Sequence, residues 1–109
     1  MNNYFANFNI AGFMYYDGVD VFQELKIGTE LKLVPEPENK HDEYAVALYY
    51  GEHKLGFIPR GTNREIGKLL HFGYDAFTVK INRISPEEHP NNQIGVVVKV
   101  KDRKKTDKK

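Results

Sequence analysis

The sequence predicts a small, mainly β protein with one or two helices, its six strands curled into an OB-like or SH3-like barrel. Three observations carry this. Short apolar runs with two-residue alternation recur along the chain, separated by Gly, Pro, Asn and Asp. Only one segment has a clear helical stripe. Seven Tyr and seven Phe stand among 109 residues, and such rings favour strands and barrel interiors.

Tyr4 to Phe13 sets aromatics and Ile at short intervals and reads as a first strand ending near Gly12. Asp17-Gly18 marks a turn, with Tyr15 and Tyr16 on its rising edge. Val19, Phe22 and Leu25 are spaced for one face of a short helix or an irregular crossing, which Gly28 breaks. Strands are expected over Glu30–Val34 and Tyr44–Tyr50. The loop between them, PEPENKHDE, is polar. Pro35 and Pro37 remove backbone donors and stiffen its first half, which leaves Asn39 to Asp42 as a tip that presents side chains. A tight turn at Gly51 to Lys54 leads into a short strand, Lys54–Ile58, closed by Pro59 and Arg60.

Gly61 to Gly73 predicts a helix. Thr62 and Glu65 fit a capping box. Ile66, Leu69 and Leu70 form an apolar stripe, and Gly73 sits at the expected stop. Phe77, Val79 and Ile81 then alternate strictly, with Ile84 out of phase after a break. Ser85 to Asn92 is a loop with two prolines, and Ile94–Val100 is the last strand. Residues 1–100 are read as the one domain. Residues 101–109 hold no apolar side chain and are expected to form a disordered basic tail.

Composition excludes several classes. There is no Cys, so there is no disulfide framework and no Cys-based zinc site; a cytoplasmic setting is the expectation. No apolar run approaches the roughly 18 residues of a membrane span, and the N-terminus lacks the pattern of a signal peptide. The net charge of +1 conceals an asymmetry. The last nine residues hold six of the 16 basic and two of the 15 acidic side chains, leaving 10 basic and 13 acidic in the rest. Such a body is not a broadly basic duplex-coating surface. Any contact with nucleic acid should be small and local, with the tail adding non-specific attraction.

Catalysis is unsupported. His41, His53, His71 and His89 show no metal-ligand spacing, and there is no nucleophile elbow, Walker loop or GxGxxG. The acidic loop with His41 suits a divalent ion by residue type, but its spacing matches no ligand motif and a solvated loop is the better reading. No cofactor is implied. Adjacent strand residues point to opposite faces, so at most one of Tyr15 and Tyr16 enters the core, and an exposed ring there is a stacking platform. Arg60 is an ordinary surface charge or a phosphate partner.

Taken together, these pieces resemble the HIRAN domain family. The resemblance rests on Ala11 to Tyr16 (AGFMYY), Glu36 to Val46 (EPENKHDEYAV), Gly51 to Arg60 (GEHKLGFIPR) and Asn63 to Ile66 (NREI), in that order, and covers roughly Phe8 to Val100. The family occurs in DNA-remodelling and repair ATPases and as short stand-alone bacterial proteins. The resemblance implies an OB-like barrel of about six strands with two helices. In one branch it also implies a pocket for the 3′-hydroxyl end of single-stranded DNA. By that correspondence Asp42 matches an Asp that binds the terminal hydroxyl, and His41 stands where the branch has a stacking aromatic. Tyr15 matches the groove tyrosine of the Tyr15-Tyr16 pair, Asn39 a loop Asn, and Arg60 a Lys on phosphate. Two positions depart: Met14 replaces an Arg, and Phe57 replaces a His that contacts the strand.

The expected function is therefore a non-catalytic module for single-stranded DNA near a 3′ end, with a site of Tyr15, Tyr16, Asn39, His41, Asp42, Phe57 and Arg60. A DNA-remodelling ATPase or another protein is a further candidate partner. The alternatives are a protein-interaction adaptor without DNA binding and, behind it, a metal-dependent hydrolase. The bland reading of the loop is that Asn39 and Asp42 merely cap their own turns.

Overall fold

The computed structural model describes residues 3–101. Of the expected tail, residues 102–109 lie outside the described residues. Six strands form: β1 (Tyr4–Asn9), β2 (Lys32–Pro35), β3 (Val46–Tyr50), β4 (His53–Phe57), β5 (Phe77–Ile84) and β6 (Ile94–Val100). Two helices, α1 (Gly18–Val21) and α2 (Asn63–His71), accompany them, with single 3₁₀ turns at Phe13–Tyr15, Phe22–Glu24 and Pro90–Asn92.

The strands make two antiparallel three-stranded sheets, ordered β1-β6-β5 and β2-β3-β4. The expected barrel is thus not one ladder closed all round. Two isolated bridges, Ala11↔Phe57 and Glu30↔Lys80, stitch the sheets together. At the first, Ala11 and Phe57 exchange both backbone hydrogen bonds at 2.9 Å. Gly56 permits this approach. Its φ is +146°, and a Cβ there would lie 2.4 Å from the Ala11 carbonyl oxygen.

Between the sheets lies one apolar cluster that includes Ile10, Phe13, Val46, Leu48, Leu55, Ile66, Ile81, Ile94 and Val96, all at most 1% exposed. Each such side chain stabilises the fold by about 1.5–3 kcal/mol on burial. α2 adds Ile66 to the cluster and rests Leu70 against it, whereas Leu69, the third residue of the expected stripe, stays exposed. Gly67 lets the helix close on the loop before β3, because a Cβ at that position would meet the Tyr44 carbonyl oxygen at 2.9 Å.

Three local expectations need revision. The capping box at Thr62 does not form: Thr62 has φ −102° and ψ −22° and makes no side-chain cap. An N-cap needs extended backbone to aim its oxygen at the helix amides, and this residue is already helical. β3 begins at Val46 rather than Tyr44, since the Ala45 N–H closes the loop onto the Asp42 carbonyl at 3.0 Å. The phase break in β5 is a bulge: the β5–β6 register shifts between Ile81 and Arg83, which returns Ile84 to a partner, Ile94.

Candidate nucleic-acid interface

The loop joining β2 to β3 is built by its own polar side chains. Its base is closed by the Glu36 N–H donating to the Ala45 carbonyl at 2.8 Å. The Asn39 side-chain oxygen accepts from the His41 and Asp42 N–H groups at 2.8 and 3.2 Å. Asp42 Oδ1 accepts from the Tyr44 N–H at 2.9 Å. Both residues therefore cap their own turns, as short polar side chains do.

Asp42 has further partners. Its Oδ2 accepts from the Asn63 side-chain amide at 2.8 Å. Arg60 Nε lies 3.7 Å from the same oxygen, and the Arg60 guanidinium also donates to the His41 carbonyl. The Asn63 amide first, and the Tyr44 N–H next, hold the Asp42 carboxyl below its ordinary value against the opposing effect of burial; Arg60 adds to this. The group is thus a carboxylate at neutral pH. Two amide bonds leave it further lone pairs, and its side chain is 19% exposed.

An aromatic wall stands beside this carboxylate. The Tyr16 and Phe57 rings meet edge to face with centroids 5.7 Å apart. The Lys54 ammonium lies 4.7 Å from the Tyr16 centroid and 4.4 Å from that of Phe57. Lys54 is held in turn by Glu36 at 2.9 Å, and Glu36 accepts from the Asn39 amide at 3.1 Å. Burial opposes ionisation of Glu36, but the bonds from Lys54 and Asn39 outweigh it and keep the carboxyl below its ordinary value. One chain of contacts therefore ties the loop to the rings.

Loop, wall and helix start enclose a pocket of about 240 Å³. Of the residues expected from sequence, Tyr16, Asn39, His41, Asp42, Phe57 and Arg60 line it together. Tyr15 does not. It ends the 3₁₀ turn, 76% exposed, outside the pocket. The pair lies on a turn rather than a strand, so the strand argument about opposite faces does not apply, and neither ring enters the core. Met14, also exposed, lies in the same turn.

Asn63, Lys54 and Glu36 hold the candidate site together, and the sequence reading did not count them among its site residues. Asn63 is 4% exposed, the one buried polar side chain among the described residues. It read as a helix opener, since nothing local signals a partner at Asp42. Among the described residues no three His, Asp or Glu side chains converge where a metal could sit. No helix among them is long and apolar enough to cross a membrane.

The HIRAN domain family model matches residues 3–101. The chain belongs to the HIRAN domain family. Two solved structures are similar to this HIRAN domain. A protein from Lactobacillus plantarum is 19% identical, with a TM-score of 0.70, over 91% of this chain and 97% of that one. The HIRAN domain of human HLTF is 14% identical, with a TM-score of 0.64, over 88% of this chain and 75% of that one. At these identities the likeness is one of fold. Comparison with curated protein sequences finds no match. The family is one of DNA-binding modules rather than catalysts.

Proposed function

We infer that this HIRAN domain binds single-stranded DNA by its 3′-hydroxyl end, in the pocket between the β2–β3 loop and the Tyr16–Phe57 wall. The carrying observation is that an ionised, partly exposed carboxylate, Asp42, lies in the same small pocket as two aromatic rings. A carboxylate accepts a hydrogen bond from a free hydroxyl and repels a phosphate. Flat rings take a base of any sequence by stacking, at about 1–3 kcal/mol per base. Arg60 is 71% exposed on its side chain and is free to trade its carbonyl contact for a phosphate. Asn63, Asn39 and Lys54 act as positioning residues, since they fix the carboxylate and the rings rather than touch the strand.

The test is competition between linear and circular single strands. A labelled linear oligonucleotide bound to the protein should be displaced by unlabelled linear DNA with a free 3′-hydroxyl. A circular strand of the same length and composition, which has no ends, should displace it poorly. Equal displacement by both would sink end recognition.

A further inference from the structure

A second, larger cavity of about 560 Å³ opens on the other flank of the same loop, between Pro35, Pro37 and α2. It shares Ala45 with the 3′-end pocket as a lining residue, so the two adjoin across the base of the loop. Its walls include Tyr44 and Phe72, and Phe72 is 81% exposed. An aromatic ring so open to water is not serving the core.

Along this side of α2 run Arg64, Lys68 and His71, all exposed. Positions i, i+4 and i+7 share one helical face. The helical rise sets Lys68 and His71 about 6 and 10 Å beyond Arg64 along the axis. The Arg64 guanidinium already sits 5.2 Å from the Tyr44 ring centroid, and the His71 and Phe72 rings touch at 5.0 Å between centroids. Lys68 and His71 line the groove. One acid, Glu43, lines it and balances Lys68, and Arg64, beside the groove on the Tyr44 ring, adds a further positive charge. Two cations, Arg64 and Lys68, beside the exposed Phe72 ring and the half-buried Tyr44 ring suit a chain of phosphates and bases. The row starts one residue after Asn63, which holds Asp42.

We propose that this groove is the track for the nucleotides on the 5′ side of the terminal one, with Lys68 and Arg64 on phosphates and Phe72 and Tyr44 under bases. This rests on the end-binding reading of the Asp42 pocket. It makes the site a continuous path that turns around the β2–β3 loop, with a footprint of several nucleotides.

The experiment compares short (about three nucleotides) and long (about ten nucleotides) oligothymidylates with free 3′-hydroxyls, and a twin of the long strand that ends in a 3′-phosphate. Anisotropy would be read for wild type, Lys68→Ala and Phe72→Ala. Both side chains are exposed, so the variants should fold, and a thermal melt checks this. Wild type should bind the long strand more tightly. Each variant should lose about fivefold or more on the long strand while keeping wild-type affinity for the short one. Lys68→Ala should also flatten the salt dependence on the long strand by about 0.7 in log–log slope. Hydroxyl-end preference with no effect of either variant on the long strand would overturn the track and leave the end pocket standing. Absence of end preference in wild type would overturn the reading beneath it, and the track with it.

Discussion

At the residue scale the proposed site turns on Asp42 and the Asn63 amide that holds it. Asn63 is buried and gives its amide to the carboxylate. Removing it leaves a partly buried charge short of a partner, which costs about 1–3 kcal/mol. The pH dependence has a definite sign. A depressed folded-state pKa contributes stability that is complete above the ordinary aspartate value of 3.8 and is lost as pH falls through the folded value. The stability gap between wild type and Asn63→Ala in urea denaturation should therefore be full at pH 7 and shrink at pH values below 3.8. A gap that is constant across this window would mean that the Asn63 bond is not to the ionised form. Tyr16→Ala should weaken strand binding by about 1–3 kcal/mol, read by anisotropy, and lower the melting temperature only modestly, since the residue is 38% exposed and its ring packs on Phe57 outside the core.

At the element scale the site depends on two close approaches. Gly67→Ala would ordinarily favour a helix by about 1 kcal/mol. Here the added Cβ would press on the Tyr44 carbonyl oxygen at 2.9 Å, and backbone cannot yield cheaply. The substitution should lower stability by about 1–3 kcal/mol despite the propensity gain, read by chemical denaturation; a stabilised variant would show that helix and loop are not in this contact. Elements were largely legible in the sequence for the same reason that they are stable. IGVVVKV alternates and pairs as β6, and the stripe of Ile66 and Leu70 faces the core as α2. Ile84 even reported the β5 bulge by falling out of phase. What the sequence hid is tertiary. Thr62-x-x-Glu65 has the letters of a capping box without the backbone for it. The resemblance put Tyr15 in the groove, whereas the 3₁₀ turn sets Tyr16 against Phe57 and leaves Tyr15 exposed. Asn63 and Lys54 gain their roles from partners 21 and 18 positions away, beyond any local pattern.

At the scale of the whole molecule, charge decides how binding should respond to salt. The first hundred residues hold 13 acidic against 10 basic side chains, so the body offers few cations to phosphate. A binder of single strands loses affinity with a log–log salt slope of about −0.7 per phosphate contacted. The slope here should be shallow and should fall further when residues 102–109 are deleted, without loss of end preference. A deletion that abolishes binding altogether would assign the affinity to the tail and not to the pocket. The two-sheet body serves the same end, because the bridge at Ala11 and Phe57 sets the aromatic wall across from the loop.

In the proposed function the Asp42 carboxylate reads a free hydroxyl. The most direct measurement is fluorescence anisotropy with two single strands of identical sequence, one ending in a 3′-hydroxyl and its twin in a 3′-phosphate. Each would be titrated with wild type and with Asp42→Asn, which preserves side-chain shape and removes the charge. Wild type should prefer the hydroxyl end by about tenfold or more, in line with a charge-assisted hydrogen bond of about 1.5–3 kcal/mol. Asp42→Asn should bind the hydroxyl end less tightly and the phosphate end more tightly, closing the gap. Equal affinity of wild type for the two ends, or a preference that survives in Asp42→Asn, would contradict the account.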